Sequence, residues 1–262
     1  MRVALVTGAA RGIGAATVAA LVADGCHVVA LDSCEGPPLA TRADLDSVAA
    51  TYDGHDGHDG HDPRVVPVVA DVRDRAALVA AVGETLERWG RLDAVVAAAA
   101  VIRGGAPLWE TPEADLDELW EVTAKGVWNT AAATLPAMLA GPDPSGCRFV
   151  AVASAAGHAG LFHLAAYNAT KHAVVGIVRG LAADLRGTGV TACSVSPGST
   201  DTAMLDATAD LYGAHRDDLV AHQALGRVLA PAEIAATVAF ACSPAGAVLH
   251  GTDVHADGGF TG

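Results

Sequence analysis

Short apolar runs alternate along the chain with longer, alanine-rich stretches whose apolar residues recur at helical spacing. The runs are Val3–Val6, His27–Leu31, Val65–Val69, Ala94–Ala98, Phe149–Ala153, Thr191–Val195 and Asp253–Ala256. The helical patterns fall at Ile13–Ala23, Arg75–Arg88, Glu113–Leu139, Ala165–Leu185 and Pro231–Cys242. A strand that is apolar throughout is one buried on both faces. Such strands separated by helices predict an α/β fold, a doubly wound, seven-stranded parallel sheet with helices on both faces. No Pro/Gly/Ser linker divides the chain, so residues 1–262 read as a single Rossmann-type domain.

Two segments break the alternation. Residues 33–63 form an insertion between the second and third strands. It holds a short helical stretch, Ala43–Ala50, and then the repeat Gly54-His55-Asp56-Gly57-His58-Asp59-Gly60-His61-Asp62. Gly and Asp disfavour regular structure, which predicts a surface loop. Its His and Asp residues are metal-capable in type, but a repeat alone offers no fixed geometry, so no metal site is read from it. Residues 201–224 form an irregular excursion carrying Met204, Leu205, Leu211 and Tyr212. Placed at the carboxyl end of the sheet, where ligands bind in such folds, it reads as a substrate lid.

Composition narrows the partners. Sixteen Lys+Arg against 30 Asp+Glu give a formal net charge of −14. Such a chain repels nucleic-acid phosphates and anionic membranes. There is no apolar run of membrane-spanning length, and the run before Thr7 is too short for a signal-peptide core. The five cysteines form no CxxC pair and mostly sit in apolar runs. Together these features predict a cytoplasmic protein with reduced thiols.

The first strand runs into Thr7-Gly8-Ala9-Ala10-Arg11-Gly12-Ile13-Gly14, which opens the first helix. Glycines there let the backbone turn tightly and approach a pyrophosphate, and the helix N-terminus supplies free N–H groups and a positive dipole end. Asp32 ends the second strand, placed to accept hydrogen bonds from a ribose 2′-hydroxyl and to repel a 2′-phosphate. No Arg or Lys follows until Arg42, which favours NAD over NADP. Asp71 and Val72 end the third strand, suited to bond and pack an adenine, although Asp71 alone would also serve as an N-cap.

Tyr167 and Lys171 lie four apart in a helical pattern, on one face, and Ser154 ends the fifth strand. A carbonyl beside a nicotinamide could be held by the Ser154 hydroxyl and the Tyr167 phenol together. A phenol near pKa ~10 is a poor base at neutrality, and a neighbouring ammonium would lower it. Tyr167 would then carry the proton while hydride moves to or from the nicotinamide.

These motifs, taken in order, resemble the short-chain dehydrogenase/reductase family. TGAARGIG, Asp71-Val72, Ser154 with Tyr167 and Lys171, Pro197-Gly198 with Thr202, and the ending Gly251 to Phe260 follow its pattern over nearly the whole chain. The resemblance implies that Ala98, Ala99 and Ala100 run beside the adenosine ribose. It also implies that Pro197, Gly198, Ser199 and Thr200 contact the nicotinamide half and that Thr202 bonds its carboxamide. It further implies a homo-oligomer, tetramer or dimer, built on the helices holding Trp120 and Tyr167. More narrowly, Pro107–Pro112, Lys171–Leu181, Ser196–Thr208 and the long insertion are similar to a branch coupled to the redox carrier mycofactocin, whose members hold NAD tightly. The chain departs from the family pattern in three places: Ala97 to Ala100 stand for an Asn-Asn-Ala-Gly run, Thr123 for a catalytic Asn, and Cys193 for an Asn before the Pro-Gly turn. The expected substrate is an apolar secondary alcohol or ketone, with Gly157, His158, Leu161 and Phe162 as candidate pocket walls. A non-catalytic NAD-binding sensor or scaffold is the alternative.

Overall fold

The computed structural model describes residues 1–52 and 63–261, apart from the side chain of Asp217. The Gly54–Asp62 repeat therefore lies outside the described residues. The seven strands are β1 (Arg2–Thr7), β2 (Cys26–Asp32), β3 (Val65–Val69), β4 (Ala94–Ala97), β5 (Arg148–Val152), β6 (Thr191–Pro197) and β7 (Asp253–Ala256). They form one parallel sheet in the order β3-β2-β1-β4-β5-β6-β7. Pro67 is accommodated in β3 because β3 is an edge strand, with one side free of ladder bonds.

Side chains alternate across the sheet and fill two cores. Ala4 and Val6 of β1 and Val150 and Val152 of β5 face helices α1 (Gly12–Ala23), α2 (Arg42–Ala50) and, much later in the chain, α8 (Pro231–Cys242). Val3, Leu5, Phe149 and Ala151 face α3 (Arg75–Trp89), α5 (Lys125–Ala140) and α6 (Ala165–Asp184). This two-sided burial is why the strands read as unbroken apolar runs. Fully burying one such Leu or Phe contributes about 1.5–3 kcal/mol. Cys193 lies in the first core, and burial pushes its thiol up to about 12, so it packs as a small apolar group. All five cysteines are unpaired.

The order reverses at β1, whose neighbours are β2 and β4. The crevice beyond the carboxyl ends of these strands is where α/β sheets of this topology bind ligands.

Two expectations are corrected. The Glu113–Leu139 pattern is not one helix but α4 (Glu113–Leu119), a π-helical turn (Trp120–Ala124) and α5. The pattern stays helical on either side of this one wide turn, so periodicity does not reveal it. The 201–224 segment is not irregular: it contains α7 (Ala203–Tyr212) and a 3-10 turn at Arg216–His222. Met204, Leu205, Thr208 and Leu211 recur at helical spacing and carried the missed signal.

Candidate active site

Residues Thr7 to Gly14 build the tightest part of the crevice. Gly8 and Gly12 adopt φ of +66° and +58°. A Cβ on Gly8 would lie 2.8 Å from the Ala99 backbone, and one on Gly14 would lie 2.0 Å from the Gly8 carbonyl oxygen. Arg11, the N-cap of α1, gives no side-chain cap, and the first turn carries no acid. The helix thus keeps its N–H groups and dipole available to a phosphate. The Thr7 hydroxyl accepts the Ala98 and Ala99 N–H groups at 3.1 and 3.3 Å. The Ala97–Ala100 run has no polar side chain to bond across strands, and Thr7 of β1 bonds its backbone instead.

At the adenosine end, Asp32 Oδ2 accepts the Ala10 N–H and Oδ1 the Cys34 N–H, both at 3.2 Å. The carboxylate is thus fixed at the mouth of the glycine turn. Asp71 accepts the Arg73 N–H and Nε–H, each at 2.7 Å, and the Arg73 guanidinium also pairs with Glu35. Partial burial pushes the Asp71 carboxyl up, but the Arg73 bonds outweigh it and hold it below the usual carboxylate range. Asp71 lines the crevice as expected but is not an N-cap; Asp74 caps α3. Glu35 and Arg73 went unnoticed in the sequence because they meet only when the insertion folds back.

Ser154 follows β5, and its hydroxyl accepts the Ala156 N–H at 3.2 Å, capping the 3-10 turn Ala155–Gly157. Tyr167 sits in the first turn of α6 and Lys171 one turn on, both buried. Lys171 Nζ donates to the Val152 carbonyl at 3.0 Å, and it lies 5.7 Å from the Tyr167 ring centroid. Burial pushes the phenol up to about 12, while Ser154, hydrogen-bonded to it, pulls it back. Burial pushes Lys171 down to about 7. The expected lowering of the phenol by an ammonium is therefore not found in this state: desolvation governs both groups, and it discourages the lysine charge that was to do the lowering.

This burial has a measurable consequence. An unfolded chain holds the Lys171 proton up to its ordinary value of 10.5, the folded chain only to about 7. Between those values the unfolded state binds the extra proton, so stability rises with pH. Lys171→Met removes the titration. Its stability relative to wild type is expected to be highest near pH 6–7 and to fall toward pH 9, by up to ~1.4 kcal/mol per pH unit. Urea denaturation of both proteins across this range checks it; a pH-independent difference would contradict the buried, discharging lysine.

All the residues anticipated for the dinucleotide and for catalysis line a single crevice: Gly8, Arg11 to Gly14, Asp32, Asp71, Val72, Ala98 to Ala100, Ser154, Tyr167, Lys171, Pro197 to Thr200 and Thr202. The 201–224 segment contributes Met204, Leu205 and Thr208 to its wall, and the Tyr167 hydroxyl is 3.8 Å from Met204 Sδ. Arg216 braces this segment through Asp201 and Asp206. Three anticipated walls do not line the crevice, Gly157 being buried in the 3-10 turn outside it. Phe162 is mostly solvent-exposed, and His158 turns away from the crevice to stack on His255. Leu161 does line it, and Phe260 is an addition. Thr123, in the π-helical turn, is buried with no partner for its hydroxyl and does not line the crevice.

A Rossmann sheet with a glycine turn at its first crossover and a Ser–Tyr–Lys cluster beside it defines the short-chain dehydrogenase/reductase class of oxidoreductases. The chain belongs to that family: the family model described as Enoyl-(Acyl carrier protein) reductase matches residues 8–261. The short-chain reductase protein NovJ of Streptomyces niveus is 34% identical over 98% of this chain and 93% of its own. The cis-4-hydroxycyclohexanecarboxylate dehydrogenase of Sinomonas cyclohexanicum is 34% identical over 99% of this chain and 96% of its own. The crystal structure of levodione reductase superposes with a TM-score of 0.85 at 28% identity, covering 98% of this chain and 96% of that one. Among the described residues no helix is long and apolar enough to cross a membrane.

Proposed function

We propose that this protein transfers hydride between NAD(H), held tightly, and an apolar secondary alcohol or its ketone, with a second carrier of the mycofactocin type taking the electrons onward. The observation that carries the reading is the Ser154–Tyr167–Lys171 cluster, its tyrosine and lysine buried, in the same crevice as the glycine turn. The turn fits a pyrophosphate: it is a cradle that a single Cβ would fill. Bound there, the nicotinamide supplies the hydride acceptor or donor. Ser154 holds the substrate oxygen, and Tyr167 takes the hydroxyl proton in oxidation or returns it in reduction. Lys171, bonded to the Val152 carbonyl, is fixed where it can hold a ribose hydroxyl and stabilise the phenolate once charged.

NAD over NADP is supported by the anchored Asp32 carboxylate and by the engagement of Arg73 with Glu35 and Asp71. Tight retention is supported by the insertion: Arg11 donates to the Pro38 carbonyl at 2.8 Å, and Glu35, Leu39 and Ala40 line the adenosine end of the crevice. The substrate end is walled by Val101, Ile102, Leu161, Leu164, Met204 and Leu205. An alicyclic alcohol suits it, as the cyclohexane-based substrate in the name of the Sinomonas relative also suggests. Exposed Leu116, Trp120, Trp128 and Leu139 along α4, the π-helical turn and α5 support assembly into a dimer or tetramer.

Denaturing the purified protein and identifying the released nucleotide by mass spectrometry tests the cofactor. NAD is expected at near one per chain, with alicyclic alcohols reducing an artificial acceptor far faster than external NAD. A nucleotide-free chain that turns over on external NAD would refute retention. Release of NADP would refute the Asp32 reading.

A further inference from the structure

We infer that His158, His255 and Asp257 form a binding site for one divalent transition metal ion of the zinc class, behind the wall of the crevice. One ligand atom from each falls within 4.8 Å of the others. His158 Nε2 is shut off from solvent without a well-formed hydrogen bond, 3.3 Å from Asp257 Oδ2. Asp257 is buried and oriented: its Oδ1 accepts the Gly259 and Phe260 N–H groups at 2.9 and 3.2 Å, which leaves Oδ2 for a cation. The His255 ring stacks on His158, centroids 3.8 Å apart and 12° from parallel, and its side chain is 49% exposed. An ion shared by the two imidazoles and Asp257 fills the orphaned His158 nitrogen and neutralises the buried carboxylate.

Zinc bonds of about 2.0–2.2 Å require the donors to close to ~3.4 Å about a tetrahedral ion. His255 supplies the movement: its ring is half-exposed and can tilt out of the stack about its Nε2 contact with Asp253, turning the other ring nitrogen inward. Asp253 stands behind it, with Oδ2 3.2 Å from His255 Nε2 and with bonds from the Ser194 and Ser196 hydroxyls at 2.7 and 2.8 Å. It plays the part of the carboxylate that orients a metal-bound imidazole. Two imidazoles and one carboxylate select Zn²⁺, Co²⁺, Ni²⁺ or Cu²⁺ over Mg²⁺ or Ca²⁺, and water completes the shell on the exposed side. The ion would couple three pieces of the catalytic wall. His158 ends the turn that Ser154 starts, Asp257 leads into Phe260 in the crevice, and Gly258 and Gly259 accept hydrogen bonds from the base of the lid at Leu225 and Ala224.

The test uses the full chain, purified without a His tag and stripped with EDTA. His55, His58 and His61 are changed to Asn so that the repeat cannot bind metal. Titration with Zn²⁺ is expected to show one ion per chain by calorimetry and a raised Tm, and Co²⁺ should give the intense visible bands of a tetrahedral N,O site. His255→Gln and His158→Gln are each expected to weaken binding by more than the ~10–100-fold that loss of an orienting partner costs. Asp253→Asn is expected to weaken it within that range. No binding in the repeat-free chain, or binding unchanged by His255→Gln in a protein with wild-type circular dichroism, would overturn the assignment. Nucleotide content is read on the same samples, so this result stands apart from the dehydrogenase reading.

Discussion

Tyr167→Phe is expected to lower kcat for alcohol oxidation by at least the ~10²–10⁴-fold that a positioned acid/base group supplies, while the chain stays folded and keeps its nucleotide. The substitution deletes one oxygen. The ring remains in its buried place against Val101, Ile102 and Leu164, and among the described residues the hydroxyl has Ser154 and the Met204 sulfur as partners. The loss of stability is therefore small, on the order of the ~1 kcal/mol of one hydrogen bond. What disappears is the hydroxyl that, as phenolate, would accept the substrate proton. Because burial pushes the phenol up to about 12, the proposed oxidation is expected to follow the phenolate fraction. Its rate should climb with pH from 7 to 10, and reduction, which uses the neutral phenol, should not. The measurement is steady-state oxidation of an alicyclic alcohol with an artificial acceptor, for both proteins, at matched nucleotide content. Undiminished turnover by the variant would remove Tyr167 from the mechanism. Equal inertness of both, with NAD bound, would favour the sensor reading.

The parts of this site legible in the sequence are those held by local geometry. Tyr167 and Lys171 share a face because they are one helical turn apart, and the glycine turn is readable because three small residues must sit between a strand and a helix. Strand positions followed from two-sided burial, which leaves an unbroken apolar run. What escaped depends on contacts between distant segments or on backbone irregularity. Thr7 supports Ala98 and Ala99 across the sheet, and no spacing announces it. Arg73 meets Glu35 only after the insertion folds back. His158 was placed against substrate because it follows Ser154, yet the turn at Ala155–Gly157 swings it toward β7. The ionisation of the cluster was misjudged for the same reason: charge proximity can be read from i,i+4 spacing, but the depth of burial that discharges Lys171 belongs to the folded pocket.

The second large effect is expected from a single methyl group at Gly14. An alanine Cβ there would stand 2.0 Å from the Gly8 oxygen and 2.7 Å from its carbonyl carbon, both main-chain atoms that no rotamer change can move aside. Either α1 slides along the sheet, against Val18 and Leu21 in the core, or the turn from Gly8 opens. Both displace the N–H groups that would meet the pyrophosphate. Overpacking of this kind costs about 1–3 kcal/mol; expressed as lost affinity this is roughly ten- to a hundredfold. Gly14→Ala should therefore be purified largely without nucleotide and melt below wild type even after NAD is added. Gly83→Ala in α3 is the contrasting case, because its Cβ would meet nothing within 4 Å. That substitution relieves the unfolded chain of glycine's extra freedom, so it should stabilise the protein by about 0.4–1 kcal/mol and leave nucleotide content alone. The pair separates the conformational effect of removing a glycine from the steric effect of filling the cradle. If Gly14→Ala kept its nucleotide and its Tm, the close passage of α1 over Gly8 would not be what shapes the dinucleotide end of the crevice.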